Sequence, residues 1–313
     1  MPPRWGYDYD NTVAQVFTTV HAPAMAADLE GVIADFEPEL VVCDVFDYGA
    51  PVAAERAGLP CVSHGLGLPV PERVTREAAR WASPMWTDRG LTPPEDAGMY
   101  RTLHVSICPP CLDPGDGWTG APVQTIGPPQ HRPEPPDWLL SLPDRPNVYV
   151  TLGTARGREA GLLAEVIEAL AGIDVNVVVT VGPDRDPAPV AAMAGNVTAH
   201  SFVPQYDLLP SCSAVVCHGG SGTILGALAV GVPVIVLPHM ADHHYNASAL
   251  RRVGCGIALD DGERSPDRIH TAVRWALDDL GIRRSATEVQ ADMARMPRPE
   301  AVVERLHALV ARS

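Results

Sequence analysis

Apolar positions in the second half of the chain fall into short continuous runs separated by stretches of helical period. The run at 148–152 predicts a strand, Leu162, Leu163, Val166, Ile167 and Leu170 then recur as one helical stripe, and 175–181 predicts the next strand. Further runs at 197–200, 214–217, 232–237 and 256–259, with helical stretches between and after them, continue the alternation. Strand and helix in strict alternation predict an α/β domain built on a doubly wound parallel sheet. The first half carries less of this pattern. It offers three credible strands, at 40–43, 60–64 and 103–107, with helices near 22–36, 49–58 and 71–89. A Rossmann-like sheet normally has about five strands or more, so this half reads as incomplete.

Between the halves, 108–146 is rich in proline and glycine, with Gly127-Pro128-Pro129 and Pro133-Glu134-Pro135-Pro136, and reads as a stiff surface connection. The expected division is a partial N-terminal domain, 1–135, that includes this linker, and a complete C-terminal domain, 136–313. A closing helix at 301–311 is expected to pack back across the seam. In the usual order of such a sheet, the strand ending at Asp44 lies beside a first strand that this chain lacks. An unpaired edge and an uncovered apolar face follow, and with them a homodimer or a completing partner chain.

The chain has 313 residues, 46% of them hydrophobic, enough to bury a full core and to form two domains. Its net charge of -15, without long runs of like charge, argues against nucleic acid or an anionic membrane as the main partner and favours a small ligand. All 23 basic side chains counted as Lys or Arg are arginine, which excludes a phosphate-cradling lysine, a Schiff-base lysine and a lysine general base. The first residues, Met1-Pro2-Pro3-Arg4-Trp5, do not resemble a targeting signal, and no apolar run is long enough for a membrane span, so the expected location is cytoplasmic. Seven scattered cysteines make no disulfide framework. Cys108-Pro109-Pro110-Cys111 reads as a reduced pair at a strand end.

The chemistry concentrates after the predicted strands. His218-Gly219-Gly220-Ser221-Gly222-Thr223 follows the run 214–217 and opens a small-residue helix. Amide N–H groups and the positive end of a helix dipole then converge on one point, which predicts a phosphorylated ligand. Gly153-Thr154 ends an earlier strand, where a glycine permits close approach and a hydroxyl can donate. In Phe202-Val203-Pro204-Gln205 the aromatic either stacks on a base or caps the sheet from inside. At 238–247, Asp242 and His243 suit sugar hydroxyls, while a metal on His239, His243 and His244 is the rival reading. Asp8-Tyr9-Asp10 and Asp184-Arg185-Asp186 do not follow predicted strands as a metal-binding Asp-x-Asp would, and read as loop carboxylates.

Together with Leu208-Leu209-Pro210, Gly226-Ala227-Leu228, the run 231–238 and Asn246-Ala247, these motifs resemble the donor-binding signature of inverting nucleotide-sugar glycosyltransferases of the GT-B fold. The likeness is to the family 1, actinobacterial type that glycosylates natural products and antibiotics. It spans roughly 38–313 and is most specific over 202–259. It implies two Rossmann-like domains, the first incomplete here, and transfer of a sugar with inversion from a UDP- or TDP-sugar to a hydroxyl of a small natural product. The nucleotide sugar is a co-substrate, and neither cofactor nor metal is implied. By the same resemblance, Phe202 and Val203 hold the base and Gln205 lies near ribose and base. Gly153, Thr154, His218, Gly220, Ser221, Gly222 and Thr223 hold the diphosphate, and Asp242 binds the sugar. The next residue is commonly Gln in the family and here is His243.

Asp44 matches the family aspartate that orients a catalytic histidine base. The chain departs from the pattern there, because the Gly-His-x-x-Pro-like motif carrying that base does not occur before Asp44, where His21 is the only histidine. A catalytically inactive nucleotide-sugar-binding or auxiliary protein, or a truncated fragment, is therefore the alternative reading, and a nucleotide-sugar epimerase a more distant one.

Overall fold

The computed structural model describes residues 9–120, 122–129, 133–153, 159–239 and 242–311. In chain order the strands are β1 Val41–Asp44, β2 Cys61–His64, β3 Leu103–Ser106, β4 Val123–Thr125, β5 Asn147–Thr151, β6 Asn176–Thr180, β7 Val197–His200, β8 Ala214–Cys217, β9 Val234–Val236 and β10 Gly256–Ala258. The helices are α1 Tyr9–Val16, α2 Ala22–Phe36, α3 Ala50–Ala57, α4 Glu72–Thr87, α5 Asp137–Leu140, α6 Glu159–Ala171, α7 Ala188–Ala191, α8 Gln205–Leu208, α9 Ser221–Ala229, α10 His243–Val253, α11 Pro266–Asp278, α12 Leu280–Ala294 and α13 Pro299–Val310. The chain forms two compact units: Met1–Pro109 with Asp113–Gly127 and Met296–Ser313, and Pro110–Leu112 with Pro128–Arg295.

In the first unit a parallel sheet runs in the order β1-β2-β3-β4 among the described residues. β4, which sequence pattern alone does not predict, is a three-residue strand inside the Pro/Gly-rich segment, paired with β3 through His104, Val105 and Ser106. β1 lies at one end of the sheet. A π-helical turn, Phe17–His21, joins α1 to α2, and His21 is its last, exposed residue. Helix α3 stops at Gly58, whose φ of 69° closes the C-terminus in a left-handed turn. Tyr48, Trp86 and Met99 are almost fully buried in the core on this side. Helix α13 turns Val302, Leu306 and Leu309 onto Val62, Leu103, Val105 and Ile126, and so belongs to this unit's core.

The second unit holds a parallel sheet in the order β10-β9-β8-β5-β6-β7 among the described residues. β8 and β9 are buried at every residue, as are the middle positions of β5 and β6, because helices cover both faces. The observed strands match the expected ones to within two residues, and the chain is α/β with parallel sheets throughout. Successive strands step outward from β5 to β7, and the chain then returns to place β8 on the other side of β5. That reversal opens a crevice at the carboxyl ends of β5 and β8, where open α/β sheets bind ligands.

Candidate functional site

The loop leaving β8 carries the predicted anion turn. Gly219 has φ 106°, and a Cβ there would lie 2.8 Å from Val236 Cγ1 and 3.0 Å from His243 Cβ. Gly220 caps α9 without a side chain, and the first bond within the helix runs from Ile224 N to the Gly220 carbonyl at 3.2 Å. The amides of Ser221, Gly222 and Thr223 therefore precede the helical ladder and point out of its positive end. Gly222 is exposed, and a Cβ on it would meet nothing within 4 Å, so among the described residues this end of the helix is open.

A buried polar network fixes the neighbouring carboxylate. Asn246, one turn into α10, donates from Nδ2 to the Gly219 carbonyl at 2.8 Å, to Ser221 Oγ at 3.0 Å and to Asp242 Oδ2 at 2.9 Å. Ser221 Oγ donates to the same Asp242 Oδ2 at 2.8 Å. Asp242 is thereby tied to both the glycine turn and α9, with two donors on one oxygen.

On the other side of α9, Gln205 opens α8. Its Nε2 donates to Thr223 Oγ1 at 3.3 Å and to the Tyr149 hydroxyl at 3.4 Å, and that hydroxyl lies 2.7 Å from Thr180 Oγ1. Val203 is buried, whereas Phe202 is 71% exposed, so Phe202 does not cap the sheet from inside and its ring is available for stacking. Gly153 follows β5 with φ 87°, and a Cβ there would lie 3.1–3.4 Å from the ring of His218. Thr154, the adjoining expected residue, falls outside the described residues.

Three imidazoles close the floor. His218 and His243 have ring centroids 4.8 Å apart, His239 and His243 5.0 Å, and His218 and His239 6.3 Å. The Nδ1 atom of each is buried without a hydrogen-bond partner among the described residues. Burial lowers the His218 pKa, with the nearby His239 adding to the effect and the Thr151 carbonyl and Asp242 opposing it. Burial, then the charges of His218, His239, His244 and Arg264, lower that of His243 to about 3. Arg264 itself is committed: Nη1 pairs with Asp261 at 2.6 Å, Nε donates to the Leu259 carbonyl at 3.3 Å and Nη2 to the Pro238 carbonyl.

Phe202, Val203, Gln205, His218, Gly220, Ser221, Gly222, Thr223, Asp242 and His243 all belong to this loop cluster, as does Gly153. Sequence reasoning passed over Tyr149 as the anchor of Gln205, and the convergence of His239 on His218. Among the described residues no group of His, Cys, Asp and Glu side chains has metal-holding geometry. Asp10 pairs with Arg73 at 2.8 Å, and Asp186 accepts from the Ala188 amide at 3.0 Å at the start of α7. All the cysteines are free thiols.

In the first unit, Asp44 ends β1, exposed, with Oδ1 accepting from the Phe46 amide at 2.7 Å. Its partner across the ladder is His64, at the end of β2, a pairing with no signal in the sequence. The π-helical turn lies near this strand end, since Phe17 contacts both His21 and Phe46, with ring centroids 5.5 Å and 5.7 Å away.

The family profile described as "Erythromycin biosynthesis protein CIII-like, C-terminal domain" matches residues 164–309. L-demethylnoviosyl transferase of Streptomyces niveus is 34% identical over 292 residues, covering 91% of this chain and 74% of the relative. Tylactone mycaminosyltransferase of Streptomyces fradiae is 29% identical, covering 95% and 71%. Among solved structures, the glycosyltransferase VinC in complex with dTDP aligns with a TM-score of 0.80 at 26% identity, covering 97% of this chain and 80% of VinC. SnogD from Streptomyces nogalater aligns at 0.79 and 28% identity, covering 99% and 83%. Among the described residues no helix is long and apolar enough to cross a membrane.

Proposed function

This chain belongs to the GT-B nucleotide-sugar glycosyltransferases that act on natural products in actinobacteria, and on that footing we propose that it transfers a deoxysugar from a TDP-sugar to a hydroxyl of an antibiotic-type aglycone, with inversion and without a metal, in the cytoplasm. The observation that carries the reading is the open N-terminus of α9, with its amides at Ser221, Gly222 and Thr223, His218 beside them and Asp242 held at their flank. The amides take the two phosphoryl groups, so the negative charge that develops on the leaving diphosphate meets donors already in position. Val203 and Phe202 hold the base, and Gln205, fixed by Tyr149 and Thr223, orients the nucleoside. Asp242 turns its second carboxylate oxygen to the sugar hydroxyls. Asp44, at the end of β1, serves acceptor activation, and inversion means that the hydroxyl attacks the anomeric carbon from the face opposite the nucleotide.

The test is direct. Calorimetry with dTDP and UDP should show binding with dTDP preferred. Incubation of a TDP-deoxysugar with phenolic and macrolactone aglycones should release dTDP and give a product of opposite anomeric configuration. Both should persist in excess EDTA, and loss of activity under chelation, or retention of configuration, would overturn the corresponding part of the reading.

A further inference from the structure

We propose that His218, His239 and His243 act together as the cation of the donor site, with binding of a nucleoside diphosphate carrying a proton into this three-imidazole cluster. This rests on the donor-site reading given above. The observation behind it is geometric. Three rings from three different segments, the turn after β8, the loop after β9 and the head of α10, stand with centroids 4.8, 5.0 and 6.3 Å apart, and each presents a buried Nδ1 that meets no partner among the described residues. His243 is only 6% exposed. Buried polar atoms are normally satisfied, and three unsatisfied nitrogens on one floor beside an open helix N-terminus mark a place prepared for a ligand.

The charges around the cluster fit the assignment. The chain has no lysine, and Arg264, whose charge acts on His243, is held by Asp261 and by the Leu259 and Pro238 carbonyls. Asp242, at the head of α10, is tied to Ser221 and Asn246. His244 faces Asp260 at 3.7 Å, and Glu165 from α6 acts on Arg264 rather than on the rings. Among the described residues the free site is thus short of positive charge where a diphosphate brings two or more negative ones. A neutral imidazole beside those charges is pushed towards its protonated form, in which both ring nitrogens, the orphan Nδ1 included, are donors. Burial disfavours the charged form of His218 and lowers His243 to about 3, so a proton on either ring enters with the ligand.

The experiment is titration calorimetry of the whole chain with dTDP at about pH 7.5, where the terminal phosphoryl group is already largely ionised, in HEPES and in Tris. The expected result is a buffer-dependent enthalpy corresponding to uptake of about half a proton to one per site, with affinity falling by up to about tenfold per pH unit above neutrality. His243→Gln and His239→Asn, each checked for an unchanged melting temperature, should bind dTDP with uptake reduced by half or more. Equal enthalpies in the two buffers with wild-type protein would overturn the inference while leaving the donor site standing. Absence of heat with both dTDP and UDP would remove the donor site itself, and the inference with it.

Discussion

Gly219 and Gly220 are adjacent in the anion turn but irreplaceable for different reasons, and the difference can be measured. Gly219 sits at φ 106°, a conformation that costs an L-residue about 1–2 kcal/mol or more, and its added Cβ would meet Val236 at 2.8 Å. Gly219→Ala should therefore lower the melting temperature by several degrees, read by circular dichroism. Gly220 has φ −65°, which alanine accepts, but the new methyl would fall 2.6 Å from His218 Nε2. Gly220→Ala should leave the melting temperature nearly unchanged and displace the imidazole, weakening dTDP binding by about tenfold, or about 1.4 kcal/mol. Unchanged affinity in that variant would mean that His218 is not in contact with the diphosphate. Asp44 gives a third, separable readout. Asp44→Asn keeps the shape and the bond from the Phe46 amide but removes the charge, so turnover should fall by about a hundredfold or more while dTDP affinity stays as in wild type.

At the level of single elements, the pairing of β2 with β3 places a titratable ring inside the first unit. Ser63 Oγ donates to the Met99 carbonyl at 2.5 Å, so the Nδ1–H of His104, 2.8 Å away, donates to Ser63. Burial, with a smaller contribution from His64, lowers its pKa from 6.5 to about 4. A depressed histidine stabilises the fold fully above its unfolded value and loses that contribution as the pH drops from 6.5 towards 4, a change of about 3 kcal/mol. Melting temperature should decline across that window, and His104→Gln should flatten the decline. An unchanged slope in the variant would assign the acid sensitivity elsewhere. The second unit's strands were legible in the sequence because β5, β6, β8 and β9 are short, nearly continuous apolar runs covered on both faces. β4 was not, since three residues in a proline-rich stretch carry no period and pair only because β3 offers an edge. The glycine turn announced itself by residue order. Its supports did not: Asn246 reaches Ser221 across 25 positions and Gln205 reaches Tyr149 across 56, and such contacts exist only once the sheet has assembled.

At the scale of the whole molecule, an apolar surface competes with a strong like charge. Helix α2 is apolar on two faces: Ala22 and Ala26 are buried, with Leu29 and Ile33 packed partly against the core, while Met25, Val32 and Phe36, the last 77% exposed, form a second stripe in solvent. Val42 on β1 is 52% exposed, and Phe17 and Val20 of the π-helical turn extend the apolar surface. β1 also lies at the end of its sheet among the described residues, where its outer backbone groups can pair with an identical edge. A net charge of -15 opposes association over long range, but salt screens that repulsion within about 10 Å at 0.1 M, whereas apolar burial gains about 25 cal/mol per Å² whatever the ionic strength. Association into dimers should therefore strengthen with salt, the opposite of a contact held by ion pairs. Light scattering after gel filtration at low and moderate salt tests this: the dimer fraction should rise with salt in wild type and fall in both Phe36→Glu and Val42→Lys. A monomer at every salt concentration would show that the second stripe of α2 and the end of the sheet are tolerated in water without a partner of their own kind.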